Sequence, residues 1–194
     1  MNNKGVVLIV SGPAGAGKGT ICSELVRRYP DEYALSISVT SRSPRGTEVD
    51  GKEYFFKTRN EFEELIELEL LLEYASYLDN YYGTPKIWVE ERLQEGVNVI
   101  LEIDIQGGFK VKDKKPDALT FFIMPPSEEE LFNRLKGRGT ETIEQIYKRM
   151  ERAREEMKLA DEYDYIIVNE NVENSVELLH NIVQLRRKEL SGEE

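Results

Sequence analysis

Gly12-Pro13-Ala14-Gly15-Ala16-Gly17-Lys18-Gly19-Thr20 is the stretch around which the chain is organised. The run before it, Val6-Val7-Leu8-Ile9-Val10, is short and wholly apolar, as a strand buried in a parallel sheet requires. After it, Ile21, Leu25 and Val26 recur at helical spacing until Arg27, Arg28 and Pro30 signal a stop. Strand, glycine loop and helix in that order form the context of a phosphate-binding loop. Glycines let the backbone wrap close around an anion with successive N–H groups pointing inward, and the helix N-terminus adds its positive dipole end. Lys18 supplies a mobile charge for the terminal phosphates. A plain glycine-rich turn would need neither this length nor these flanks. Gly19 stands where such loops usually carry a hydroxyl, and Thr20 follows one place later. Thr20 is therefore expected to meet a phosphate instead of, or as well as, a magnesium ion.

The bulk properties bound the rest. A chain of 194 residues makes one to two domains, and at this size about 70% of the unfolded surface is buried on folding. The net charge of −11 argues against a general nucleic-acid or anionic-membrane surface. A phosphate site must then be a local basic pocket in an acidic shell, and the expected partners are small molecules. Cys22 is the only cysteine, so no intrachain disulfide can form; its place on the helix after the loop suits a small buried hydrophobe. That fits a reducing cytosol, and a cytoplasmic location is expected. The first strand begins within a few residues of Met1, with no signal-peptide pattern before it and no run of membrane-spanning length.

Along the chain, Tyr33 to Val39 reads as a second strand, followed by the polar loop Thr40-Ser41-Arg42-Ser43-Pro44-Arg45-Gly46. Glu53 to Phe56 reads as a short strand, and Asn60 with Glu63 as the capping box of a brief helix. Leu70 to Tyr77 reads as extended, and Asp79-Asn80 as a turn. Thr84 with Pro85 opens a helix that Gly96 stops. Val97 to Ile103 and Leu119 to Ile123 are further strands, the first leading into the carboxylates Glu102 and Asp104 on one side of an extended chain. Ser127 with Glu130 and Thr142 with Gln145 cap two helices, the second running to about Ala160. Tyr165 to Val168 is the last strand, and Val172 to Leu190 the last helix. Strands alternating with helices imply an α/β fold with a parallel sheet and right-handed crossovers, and ligands then belong at the carboxyl ends of its strands. Gly12 to Thr20, Glu102 to Gln106, Pro125 and Asn169 all fall at such ends.

A phosphate loop alone would serve a kinase, a hydrolase, a GTP switch or a transporter motor. A second constellation narrows the choice. Arg42, Arg45, Tyr54 and Tyr82 offer guanidinium forks and phenol hydroxyls suited to a phosphate monoester. A third, Gly137-Arg138-Gly139 with Arg149, puts arginines on a segment able to move, where they can meet the charge that phosphoryl transfer builds. Arg152 and Arg154 are expected to pair with surface acids instead. His180, the only histidine, lies far from every motif and is assigned no catalytic part.

At this point the chain resembles a known family. Ser38 to Arg45, then Glu48, Gly51, Tyr54 and Phe56, then Glu73-Tyr74-Ala75 and Asn80 to Pro85, are similar to the acceptor region of guanylate kinases. Glu102 to Gly107, Pro125-Pro126-Ser127, Arg134-Leu135 and Gly137 to Glu141 extend the likeness, which covers about residues 5 to 170 in the same order. The resemblance implies transfer of the γ-phosphate of ATP to GMP, and to dGMP, with magnesium. It implies a P-loop NTPase core, an inserted GMP-binding subdomain and a mobile lid within a single domain, 1–194. The core would be 1–35, 85–132 and 156–194, the insert 36–84 and the lid 133–155. Carried over by position, Gly12 to Thr20 would hold the ATP phosphates, with Arg134 and Asn169 beside the adenine. Lys18, Arg138 and Arg149 would stabilise the transferring group. Arg42, Arg45, Tyr54 and Tyr82 would hold the GMP phosphate, while Ser38, Glu73 and Thr84 read the guanine and Glu48 belongs to the same site. Glu102 and Asp104 would divide acceptor-side and magnesium-water contacts, with Thr20 and Asp104 as the metal candidates.

The chemistry of the base agrees with Glu73. Guanine offers N1–H and a 2-amino group side by side, and a carboxylate accepts both; adenine lacks that donor pair. Two departures stand out: Ala14 replaces a serine frequent in the family, and the loop also resembles that of adenylate kinases, so only the insert identifies the base. The competing readings are an inactive guanylate-kinase-like binding module and a kinase for another nucleoside monophosphate. The intact loop with Lys18 weighs against the module.

Overall fold

The computed structural model describes residues 4–77, 79–137, 139 and 142–192. In chain order it begins with β1 (Val7–Ser11), α1 (Lys18–Arg28), β2 (Tyr33–Leu35), β3 (Val39–Thr40), β4 (Phe55–Phe56) and α2 (Arg59–Glu67). Next come β5 (Leu71–Tyr77), β6 (Asn80–Pro85), α3 (Lys86–Gln94), β7 (Asn98–Glu102), α4 (Ile105–Lys114) and β8 (Leu119–Met124). The last elements are α5 (Glu128–Gly137), α6 (Ile143–Met157), a 3-10 turn (Ala160–Glu162), β9 (Tyr165–Val168) and α7 (Val172–Ser191).

The central sheet has the order β2-β7-β1-β8-β9, and every pairing in it is parallel. All five residues of β1 are buried because both faces of the sheet are covered. Leu8 and Val10 point into a core shared with α1 and α7, through Ile21, Leu25, Val176, Leu179 and Val183. Val7 and Ile9 point the other way, against Val89 and Leu93 of α3 and Val111 of α4. This alternation at period two puts the glycine loop at the carboxyl end of the middle strand.

Residues 39–85 build a second sheet, β4-β3-β6-β5, in which β3 pairs parallel with β4 while β6 runs antiparallel to its neighbours. It has its own hydrophobic cluster of Val39, Phe62 and Leu71 with Phe55, Leu65, Ile66 and Tyr81. The strand expected over 33–39 is therefore two strands in two sheets. Ser36 still donates its N–H to Ile100 O, at 2.9 Å, but Ser38 O already accepts from Phe55 N, also at 2.9 Å.

Several local expectations shift. The box that caps α2 is Thr58 with Glu61, not Asn60 with Glu63; both spacings fit the pattern, and Thr58 holds the extended backbone an N-cap needs. No helix was expected between Asp104 and Leu119, yet α4 starts there, capped by the Asp104 side chain, which accepts from Gly107 N at 2.7 Å. Thr84 does not cap α3. Pro85 takes that position, and the Thr84 hydroxyl is used elsewhere. The long helix ends at Met157 and passes into the 3-10 turn. Its apolar face buries Ile146, Met150 and Ala153, whereas Ile143 is exposed. Cys22 is a free, buried thiol.

Candidate active site

Gly17 sits at φ 97°, left-handed backbone that favours glycine, and a Cβ there would lie 2.3 Å from Asn169 Nδ2. That amide is buried and turned onto the loop. Asn169 Nδ2 donates to Ala16 O at 2.8 Å, and its Oδ1 accepts from Ser175 Oγ at 3.3 Å. Arg134 of α5 joins the bracket, donating to Asn169 O at 3.1 Å and to Ala16 O at 3.4 Å. Lys18 arches back over the loop, with Nζ donating to Gly12 O at 2.6 Å and Pro13 O at 3.1 Å. A cavity of about 300 Å³ at the mouth of the loop is lined by Gly15, Gly17, Lys18, Gly19, Thr20 and Glu102. A Cβ on Gly19 would stand 3.4 Å and 3.5 Å from the Glu102 carboxylate oxygens, so that carboxylate occupies the room beside the lysine. The cleft walls around Glu102 raise its carboxyl above the ordinary glutamate value, and Lys18 opposes the rise.

A larger cleft, of about 500 Å³, opens beside it. Gly12, Ala14 and Lys18 line one side, Glu102 and Asp104 another, and Arg149 of α6 a third. Lys148 and Arg152 reach the same space. One cleft thus gathers a lysine from the loop, cations from α6 and carboxylates from the end of β7. Such an arrangement can hold a polyphosphate and neutralise charge that develops on it.

The inserted sheet contributes a second cluster. Glu73 is buried, at 7% exposure, and its Oε1 accepts from Thr84 Oγ1 at 2.7 Å. Burial raises its carboxyl above the ordinary value; Asp104 adds to the rise, while Thr84, Lys110 and Lys114 oppose it. Glu73 and Asp104 flank Gly107: a Cβ there would lie 3.2 Å from Glu73 Oε2 and 3.3 Å from Asp104 Oδ1. Asp104 therefore touches both the phosphate cleft and the surroundings of Glu73. Nearby in sequence, Arg42 is buried and gripped by Glu48 in a two-pronged pair, both contacts at 2.9 Å. Glu48 also accepts from Arg45 N at 2.7 Å. The Arg42 guanidinium lies 5.3 Å from the Tyr54 ring centroid, and Tyr54 meets Tyr82 edge-on at 6.0 Å.

Comparison with known proteins agrees with this geometry. The guanylate kinase family model matches residues 4–186. The chain is 50% identical to a guanylate kinase of Caldanaerobacter subterraneus subsp. tengcongensis over 94% of this chain and 88% of that one. It is 48% identical to a guanylate kinase of Streptococcus thermophilus over 95% and 88% of the two chains. The chain belongs to the guanylate kinase family. A crystal structure of guanylate kinase from Anaplasma phagocytophilum superposes with a TM-score of 0.74 at 33% identity, covering 95% of this chain and 87% of that one. The fold is accordingly the P-loop NTPase α/β fold expected, with a parallel sheet flanked by helices.

Within this member of the guanylate kinase family, Gly12, Lys18, Glu102, Asp104 and Arg149 meet in one cleft. Glu73 and Thr84 meet each other, and Arg42, Tyr54 and Tyr82 form one cluster through rings and charge. Ser38 is half-buried beside β3, Arg45 is exposed, and Thr20 is exposed at the mouth of the loop. Arg138 lies outside the described residues. Arg154 pairs with Glu128 at 2.8 Å, as expected, and Arg152 pairs with Glu156 at 2.7 Å while also lining the cleft. Sequence reasoning missed Lys148, although Lys148-Arg149 is a visible cationic pair, and it missed Gly107, whose lack of a side chain lets Glu73 and Asp104 approach.

Proposed function

We propose that this chain transfers the γ-phosphate of ATP to GMP, giving ADP and GDP, and that dGMP is also an acceptor. The observation that carries this reading is the buried Glu73–Thr84 pair, separated only by Gly107 from Asp104, which lines the phosphate-loop cleft. A carboxylate held by a hydroxyl on one oxygen keeps lone pairs for the N1–H and 2-amino donors of guanine. Adenine would leave that buried acceptor unpaired.

In this reading the loop backbone and Lys18 hold the ATP phosphates. Arg42, Arg45, Tyr54 and Tyr82 hold the GMP phosphate, and Ser38 helps Glu73 and Thr84 with the base. Glu48 acts one step back, fixing the Arg42 fork and the Arg45 backbone. Asn169 and Arg134 brace the loop from behind the phosphates and stand beside the adenine pocket. A phosphate monoester has a second pKa of about 6 and is largely a dianion at neutral pH. No general base is then needed, and neither Glu102 nor Asp104 is asked to take a proton. An oxygen of the GMP phosphate attacks the γ-phosphorus in line. The bond to the β,γ-bridging oxygen breaks, and its electron pair leaves on ADP. The chain's task is to bring two anions together, and Lys18, Arg149 and Arg138 would do this by neutralising the equatorial oxygens.

Magnesium suits the donors on hand. Among the described residues no group of three or more His, Cys, Asp or Glu side chains could cage a metal. Thr20 offers a hydroxyl and Asp104 a carboxylate able to act through water, which fits an ion that keeps several waters and binds largely through substrate phosphates. Held there through water, it would supply neutralisation of the phosphate charge during transfer.

We assign residues 36–84 as the acceptor insert, 133–155 as the lid and the remainder as the core. The separate apolar cluster Val39-Phe62-Leu71 supports movement of the insert as a body, while Ile146, Met150 and Ala153 of the lid pack on Leu131 and Leu135 of α5, the helix that leads from core into lid. Closure would exclude water from the donor phosphate. A cytoplasmic location accords with the single buried thiol. Among the described residues no helix is long and apolar enough to cross a membrane. A coupled assay with GMP, dGMP, AMP, UMP and CMP tests the assignment. Turnover with GMP and dGMP is expected, and fast turnover with AMP but none with GMP would overturn it.

A further inference from the structure

A cavity of about 650 Å³ lies where the inserted sheet meets the core, and none of its lining residues belongs to the phosphate-loop cavities. Its size falls within the range of small-molecule sites, about 300–1,000 Å³. Leu71 and Leu72 both line it, although they belong to different cores. Leu71 packs in the insert with Val39 and Phe62, whereas Leu72 packs with Val89, Leu93 and Val111 under α3 and α4. Tyr74 adds a ring that is 41% exposed. The polar wall is more cationic than the chain as a whole, whose net charge is −11. The Lys86 and Lys114 ammonium groups line the cavity with no side-chain hydrogen bond or ion pair among the described residues. Lys115 is matched to Glu90 at 3.6 Å, which leaves Glu69 as the unmatched carboxylate against two lysines.

We propose that this cavity is a second ligand site, for an organic anion with a flat apolar body, and that its occupation weakens GMP binding. The apolar body would lie on Leu71, Leu72 and Tyr74, and the anionic group would meet Lys86 and Lys114. Coupling follows from placement. A ligand lying on Leu71 and Tyr74 of the insert while its anion meets Lys86 and Lys114 of the core contacts both bodies, so any change in their relative position changes its contacts. Leu72 and Tyr74 are also the chain neighbours of Glu73. Lys110 of α4 donates to Tyr74 O at 3.2 Å, and Lys114 helps keep the Glu73 carboxyl ionised. An anion drawn to Lys114 opposes that help. The coupling rests on the acceptor reading of the insert; the existence of the site does not.

Anilinonaphthalene sulfonate is a suitable probe, read by fluorescence titration on the whole chain with saturating ATP analogue and GMP present and absent. The probe is expected to bind with the catalytic cleft filled, and Lys86→Ala/Lys114→Ala should weaken it about tenfold or more. Lys86→Glu alone, on an exposed side chain, should weaken it in the same direction. Inorganic phosphate at matched concentration should not displace it, because the apolar body carries part of the affinity. GMP should weaken the probe about fivefold, and the probe should weaken GMP by the same factor. Loss of probe binding whenever ATP analogue and GMP are present, or indifference to both lysine variants, overturns the site. Displacement by phosphate alone overturns the ligand class. Independent binding of probe and GMP overturns the coupling. A chain that neither binds nor turns over GMP contradicts the acceptor reading instead, and the probe titration with the lysine variants still decides the site.

Discussion

Replacing Glu73 by glutamine tests the guanine reading at its centre. The change is nearly isosteric and leaves the Thr84 partner in place. In the parent, Oε1 accepts from Thr84 at 2.7 Å, so the carboxylate meets guanine with the other oxygen and a remaining lone pair. Glutamine has one acceptor oxygen and an NH2. If the NH2 turns to Thr84, guanine keeps one acceptor and loses a charge-assisted bond, worth about 1.5–3 kcal/mol. If it turns to guanine, two donors face each other. Either way KM for GMP should rise about ten- to a hundredfold. The rate constant should fall less, since Glu73 is not among the residues lining the phosphate cleft. The pH profile gives an independent check. Burial holds the Glu73 carboxyl above its ordinary value of 4.5, so protonation, and with it the rise in KM, begins at a higher pH than for an exposed glutamate. The glutamine variant should lose that dependence. Stability should move the opposite way. A carboxyl raised on folding contributes stability fully present below 4.5 and lost as pH rises through its folded value, so ionised Glu73 opposes folding at neutral pH. Glu73→Gln should therefore melt higher than the parent at pH 7, with the gap closing toward acid. Steady-state KM for GMP, preference over AMP and thermal melts across pH measure all three. A variant equal to the parent in GMP KM and base preference would refute the reasoning.

Lys18→Ala should lower the turnover rate constant about a hundredfold or more, and a near-normal rate would remove Lys18 from transition-state stabilisation. Asn169→Ala leaves the Ala16 carbonyl with only the longer Arg134 contact at 3.4 Å, a loss of about 0.5–1.5 kcal/mol. KM for ATP should then rise while KM for GMP stays near the parent value; an unchanged KM for ATP, or equal rises for both substrates, would refute the bracing role of Asn169. Glu48→Ala releases the Arg42 fork, and KM for GMP should increase with little change in the rate of transfer. An unchanged KM would mean that Arg42 is oriented without it.

The core of the fold was readable because its signals are local. An apolar five-residue run before a glycine loop has few alternatives, and the later strands are bounded by glycine, proline or capping pairs. Legibility failed where two elements competed for the same residues. Asp104 read as the end of a strand, but its side chain starts a helix, and the glycines at 107 and 108 mask that helix by propensity. Thr84 looked like a cap because proline follows it, yet a buried carboxylate took its hydroxyl. Residues 33–39 are uniformly strand-like, and no local pattern says that the chain changes sheets at Ser38. The site residues were named through motif and family likeness. Their mutual grip, Glu48 on Arg42 and Asn169 on Ala16, depends on three-dimensional placement that no spacing encodes.

That last contact has a consequence for how the chain is made. Ala16 and Asn169 are 153 positions apart, and Arg134 of α5 reaches the same carbonyl. A growing chain emerges with its glycine loop early but receives the amide that steadies it only near the end. Until β9 has docked beside β8, the loop has its sequence without its support. ATP affinity should therefore arise late in folding, as a property of the assembled sheet and not of the nine residues that carry the motif.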